Sequence, residues 1–137
     1  FDPKVAFVSH STFGQPATSS TKHIRDAVEI LQDKKVDFQF DGDMQPDVAL
    51  NEEYKELYSF SGIVGNANIL IMPDQHSAAI SYKMMKSLGG AKVIGPLLIG
   101  LGQPIEIAPL RSSTSDILNL ASVAAYSASV IDYDKKN

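Results

Sequence analysis

Apolar and polar side chains change period several times along the chain, and each change marks an element. Val5 to Ser9 (VAFVS) is a short, nearly continuous apolar run, the pattern of a strand covered on both faces. The polar stretch His10 to Ser20 (HSTFGQPATSS), with Gly14 and Pro16, predicts a loop. Ile24, Ala27, Val28 and Leu31 then share one helical face opposite Arg25, Asp26, Glu29 and Gln32, which predicts a helix from about Thr21 to Lys34. Ser19 or Ser20 is placed to cap its start, and Lys34 and Lys35 suit its end. Val36 to Phe40 (VDFQF) alternates as a half-buried strand does, and Asp41-Gly42-Asp43 predicts a turn. A second helix is expected from Pro46 or Asp47 to about Tyr58, with Leu50, Tyr54 and Leu57 as its inner stripe. Ser59 to Asn66 reads as loop, and Ala67 to Met72 (ANILIM) as the strongest strand. Ile80, Met84 and Leu88 define a third helix from Gln75 or Ser77 to Leu88, with Tyr82, Lys83 and Lys86 outward and Gly89-Gly90 as its stop. Short strands are expected at Lys92–Ile94 and Pro104–Ala108, and a last helix opens at Ser113 and runs to about Ile131. Ser113 with Asp116 resembles a capping box built with the shorter acid.

Strands alternating with helices predict an α/β layered domain with a mostly parallel sheet. At 137 residues, 44% hydrophobic and 20% charged, the chain fits one folded domain with one core and lies far from the composition of disorder. The absence of cysteine excludes a disulfide framework, thiolate zinc sites, iron–sulfur clusters and a thiol nucleophile, and suits a cytoplasmic protein. Twelve Lys+Arg against sixteen Asp+Glu give a net charge of -4, a field that repels nucleic acid. The run Val93 to Leu101 (VIGPLLIGL) is about half a bilayer span and is broken by Gly95, Pro96 and Gly100, so it reads as buried core rather than membrane. The chain opens Phe1-Asp2-Pro3-Lys4 without a signal-peptide layout or a Met, which is expected of a fragment of a longer polypeptide.

Candidate chemistry is sparse. His10, His23 and His76 are far apart in sequence and lack metal-ligand spacing. Ser9, His10 and Ser11 alternate across a strand, and no GxSxG elbow accompanies them. Asp41, Asp43 and Asp47 could hold Mg²⁺ or act as acid and base, against the simpler reading as turn and helix-start acids. Ser11, Thr12 and Gly14 lie between a strand and a helix, where α/β proteins bind anions, although neither a Walker lysine nor GxGxxG is present. Gly95 and Gly100 within an apolar stretch point to close backbone approach.

Taken in order, VAFVSHSTFG (Val5–Gly14), DGDMQPDVAL (Asp41–Leu50), NANILIMPD (Asn66–Asp74), AAISYK (Ala78–Lys83) and GPLLIGLGQP (Gly95–Pro104) resemble the phosphate acetyl/butyryltransferase family over nearly the whole chain. STFG in place of STKG, and GPLLIGL in place of GPxxQGL, resemble the C-terminal, phosphotransacetylase-like region of bacterial NADP-dependent malic enzymes. The resemblance implies a three-layer α/β/α fold of the isocitrate/isopropylmalate dehydrogenase-like kind. This chain would form most of its second lobe, with about residues 109–137 returning to the first. It also implies a cleft for coenzyme A and an acyl phosphate, lined by a catalytic serine, an arginine and, seven residues after the serine, an aspartate. Asp116 falls on that aspartate, but Pro109 and Leu110 fall on the serine and arginine, with Arg111 one residue later.

The expectation is therefore a regulatory domain that binds acetyl-CoA or a related CoA ester without acyl transfer, helps a homo-oligomer assemble, and has malic-enzyme domains in cis. NADP and Mg²⁺ or Mn²⁺ would belong to those absent domains, with no cofactor or metal in this segment. Expected ligand contacts are Ser11, Thr12, Gly14, Lys83, Arg111 and Asp116. A catalytic phosphate acetyltransferase and a purely structural dimerisation lobe are the alternatives.

Overall fold

The apolar run near the start of the chain becomes a central strand. In the computed structural model, which describes residues 1–90 and 93–134, β1 (Lys4–Val8) lies between β2 (Gln39–Met44) and β3 (Ile69–Ile71), all parallel, in the order β2-β1-β3. Its backbone is hydrogen-bonded on both sides, so its side chains meet a helix on each face. Ala6 pairs with Leu70, and both pack with Met44, Val48 and Ala49; the next pair, Phe7 and Ile71, borders a hollow with His23, Ile24 and Ala27. Helix α1 (Lys22–Lys34) thus covers one face and α2 (Pro46–Leu50) the other, the three-layer α/β arrangement expected. Ala6, Met44, Val48, Ala49, Ile63 and Ala67 form the core on the α2 side. The three large side chains among them, Met44, Val48 and Ile63, each contribute roughly 1.5–3 kcal/mol by burial.

Two compact units make up the chain, Phe1–Met84 and Met85–Asn137. The first holds the sheet, α1, α2, the single turn α3 (Glu52–Lys55) and most of α4 (Gln75–Leu88); the second holds α5 (Thr114–Asp134).

Several local expectations change. β2 starts at Gln39 instead of Val36 and runs through Asp41-Gly42-Asp43, which is strand and not a turn. Polar residues are tolerated there because both carboxylates find backbone donors, Gly42 N–H (2.8 Å) and Gly62 N–H (2.7 Å) on Asp41 and Gly14 N–H (3.0 Å) on Asp43. The helix expected from Pro46 to Tyr58 breaks at Asn51, which is extended and accepts the Glu53 N–H at 3.0 Å as the N-cap of α3. The break turns Leu50, Tyr54 and Leu57 outward, Leu57 being 74% exposed. Ile80, Met84 and Leu88 on α4 are likewise exposed. α1 starts without a side-chain cap from Ser19 or Ser20, a 3-10 turn over Ser19–Thr21 leading into it, while Lys35 closes it in a left-handed conformation.

In the second unit Val93 and Ile94 lie outside any strand, and Lys92 of the same expected element lies outside the described residues. Pro104–Ala108 contributes one bridge, Leu97 with Glu106, instead of a strand. Pro96 and Pro104 each lack a ladder donor, and Gly95 and Gly100 take positive φ, so the segment cannot run as regular strand. Its apolar side chains, Ile99 above all, are exposed rather than buried.

Candidate functional site

The hydroxyl-rich loop after β1 is built around a carboxylate. Asp43, at the end of β2, is fully buried; Ser11 Oγ donates to its Oδ2 and Gly14 N–H to its Oδ1 at 3.0 Å. The Arg25 guanidinium stands 3.8 Å from Oδ2 and donates to Thr21 Oγ1 at 2.9 Å. Backbone bonds complete the clamp: Phe13 N–H to the Asp43 carbonyl (2.6 Å), Gln45 N–H to Thr12 Oγ1 (3.2 Å) and Ser9 N–H to the Met44 carbonyl (2.9 Å). Phe13, at positive φ, packs its ring against Tyr58 and Phe60 at centroid separations of 5.4 and 4.8 Å. A buried carboxylate is stable only when its lone pairs are satisfied, and here a hydroxyl, an amide and a nearby cation do so.

Two of the expected ligand contacts are therefore turned inward. Ser11 and Thr12 are buried and hold the loop to β2, and the Gly14 N–H is engaged on Asp43. Asp41, Asp43 and Asp47 have backbone partners, the last accepting Val48 N–H at 3.0 Å, and no group of acidic or histidine side chains among the described residues is arranged to hold a metal. Lys83 is exposed on α4 in the first unit. Arg111 and Asp116 belong to the second unit: Arg111 is exposed in the turn closed by Ser112 N–H on the Pro109 carbonyl (2.9 Å). Asp116 caps α5, its Oδ2 accepting from Ser113 N–H (2.9 Å) and Ser113 Oγ (2.8 Å) while Ser113 Oγ accepts Asp116 N–H (3.2 Å). The capping box expected from the sequence is present.

Sequence reasoning missed Arg25, which it placed on the outer face of α1, and the role of Asp43. The two are eighteen positions apart, and only the crossover from β1 to β2 brings them together. It also missed an open hollow of ≈ 380 Å³ where the loops after β1 and β3 diverge, bounded by Ser9, His10, Ser20, Thr21, His23 and Asp74. Here the chain leaves the central strand on one side of the sheet and returns on the other, the position at which open α/β sheets bind ligands. Asp74 starts α4 by accepting Ser77 N–H at 2.9 Å, and that bond, with the Ser77 hydroxyl and His76 contributing, lowers its pKa from the ordinary 3.8.

The profile of the family described as phosphate acetyl/butaryl transferase matches residues 1–125. The chain belongs to this family. It is 49% identical over 126 residues to an NADP-dependent malic enzyme of Rhizobium meliloti, covering 92% of this chain and 17% of that one. To a phosphate acetyltransferase of Clostridium acetobutylicum it is 34% identical over 128 residues, 93% of this chain and 38% of the relative. The solved phosphotransacetylase of Streptococcus pyogenes superposes with a TM-score of 0.85 at 36% identity, covering 93% of this chain and 39% of that one. The EutD phosphotransacetylase of Staphylococcus aureus gives 0.83 at 31%, covering 93% of this chain and 40% of its own. The chain thus spans less than a fifth of the malic enzymes and about two-fifths of the transferases it matches. Among the described residues, no helix is long and apolar enough to cross a membrane.

Proposed function

We propose that this member of the transferase family is the regulatory domain of an NADP-dependent malic enzyme, binding acetyl-CoA or a related CoA ester without transferring its acyl group. The observation that carries the reading is the turn before α5. Where the family resemblance implies a catalytic serine and an arginine, this chain has Pro109 and Leu110, and Leu110 is fully exposed. Neither side chain can donate to a carbonyl or phosphoryl oxygen, so the electrostatic stabilisation that transfer requires is missing at both positions. The higher identity to a malic enzyme than to the transferases supports the same reading.

In this account NADP and Mg²⁺ or Mn²⁺ serve a malate-oxidising portion outside this chain, and the CoA ester acts as effector by binding two quaternary states unequally. Apolar side chains exposed on the second unit, Leu98, Ile99, Leu101, Ile117 and Leu118 among them, suit burial in an oligomer or against the remaining protein. The cytoplasm, where malate and CoA esters are available, is the proposed location.

The test is made on the full-length protein. Malate-dependent NADP⁺ reduction should change saturably with acetyl-CoA, while acetyl phosphate and CoA should yield no acetyl-CoA. CoA-dependent consumption of acetyl phosphate that is lost in Arg111→Ala would establish the transferase instead. Dissociation of the oligomer on deletion of this region, with no CoA-ester binding in the intact enzyme, would leave only a structural role.

A further inference from the structure

The connection from β2 to β3 carries apolar side chains that the first unit does not bury. Leu57, Phe60 and Val64 leave 74%, 69% and 71% of their surface in water, while Ile63 beside them is a core residue at 3%. Slack in the backbone does not explain the exposure, because the segment is fastened along its length. Ser61 N–H closes a turn on the Tyr58 carbonyl (2.9 Å), Gly62 N–H donates to Asp41 Oδ2 (2.7 Å), Val64 N–H to Gln39 Oε1 (2.8 Å) and Lys4 Nζ to the Val64 carbonyl (2.6 Å). The Phe60 ring is set edge-to-face with those of Phe13 and Tyr58. A held backbone that presents apolar side chains outward is organised for contact before any partner arrives.

We propose that this surface docks the malate-oxidising portion of the same polypeptide. Its area sets the kind of partner. With each residue offering roughly 150–250 Å² in all, the three leave about 400 Å² of apolar surface, half of the ~800 Å² per partner that a stable free-standing complex buries. A covalent tether makes up the difference, because it holds the partner at an effective concentration on the order of millimolar. The polypeptide to supply such a partner exists in the relatives: the matched stretch is 17% of the Rhizobium meliloti malic enzyme. Phe13 narrows the choice to the malate-oxidising portion. It stands where the transferase pattern STKG has lysine, and its ring is the one against which Tyr58 and Phe60 pack at 5.4 and 4.8 Å, so the cluster goes with the malic enzymes and with the portion that they have in addition. Phe13 also ties the surface to the loop after β1, its N–H held by the Asp43 carbonyl.

The proposal rests on the reading of the chain as part of a malic enzyme, but not on its binding a CoA ester. In the full-length protein, the photoreactive residue p-benzoylphenylalanine placed at position 60 should, on irradiation, join to the malate-oxidising portion, the linked peptides being identified by mass spectrometry. The same residue at position 57, which leaves the aromatic cluster intact, should join to the same portion and guards against a local disturbance at Phe60. Oligomers reassembled from isotopically light and heavy chains separate the sources. Products that join light to light and heavy to heavy alone are expected. Light-to-heavy products, which place a second copy on the surface, overturn the proposal, as do products confined to residues 1–137 or none at either position. Acetyl-CoA titrated into the unmodified full-length protein keeps the two ideas apart. Cross-linking to the malate-oxidising portion in a protein that binds no acetyl-CoA leaves the docking surface and removes the sensor. Malate oxidation that responds to acetyl-CoA, with no cross-link beyond residues 1–137, leaves the sensor and removes the docking surface.

Discussion

Asp43→Ala isolates the clamp that shapes the loop after β1. The substitution removes the acceptor of the Ser11 hydroxyl and of the Gly14 N–H, and leaves Arg25 without its counter-charge at 3.8 Å. Hydrogen bonds to a charged group are each worth about 1.5–3 kcal/mol, and the two donors left behind are in or beside a site where Asp43 and Ser11 are fully buried, so a combined loss of about 3–5 kcal/mol is expected. Asp43→Asn keeps one acceptor for Gly14 N–H and offers an amide that the Ser11 hydroxyl can accept, so it should cost only about 1–2 kcal/mol. Native-state hydrogen exchange at the Phe13 and Gly14 amides, in the full-length protein, reads this locally even where global unfolding is not two-state. Exchange should accelerate by about two to three orders of magnitude in Asp43→Ala and by about tenfold in Asp43→Asn. Unchanged exchange in Asp43→Ala, or equal effects of the two variants, would refute the assignment of Asp43 as the organiser of the loop.

Gly42→Ala should destabilise the sheet by about 1–3 kcal/mol or more, because its Cβ would lie 2.7 Å from both the Cβ and the carbonyl oxygen of Phe7; an unchanged unfolding midpoint would contradict this. Asp116→Ala removes the acidic half of the capping box, the acceptor of the Ser113 N–H and hydroxyl, while the residue 116 N–H still donates to Ser113 Oγ; it should cost about 1 kcal/mol, seen as faster exchange of the Ser113 amide, with Asp116→Asn recovering part of it. The pKa of Asp74 is lowered from 3.8, so its contribution to α4 is fully present above that value and is lost as pH falls through the lowered one. The Ser77 amide resonance should report a transition below 3.8 that is absent in Asp74→Asn.

The elements with an uninterrupted period were legible in the sequence. β1, α1, α4 and α5 all lie within a few residues of their expected bounds. β2 was displaced because DGDM carries turn chemistry, and only tertiary partners, Gly62 N–H on Asp41 and Gly14 N–H on Asp43, make it strand. The break at Asn51 was masked by Leu50, Tyr54 and Leu57, whose spacing fits one helix although no core meets them. The position of the loop Ser11–Gly14 was also legible, but its orientation was not: hydroxyls that suit a ligand equally suit a buried carboxylate thirty residues away. Arg25 carries no sequence signal, because its proximity to Asp43 comes from the crossover between β1 and β2. Composition fared no better with the second unit, where VIGPLLIGL has the content of a core but the proline and glycines of a segment that cannot run as regular strand.

Calorimetric titration of acetyl-CoA into the full-length protein in phosphate buffer tests the central claim most directly, since one trace records both binding and turnover. The account predicts a saturable isotherm with heat returning to baseline after every injection. A sustained displacement of the baseline, which signals continuing acyl transfer to phosphate, or a trace with no heat of binding, would contradict it.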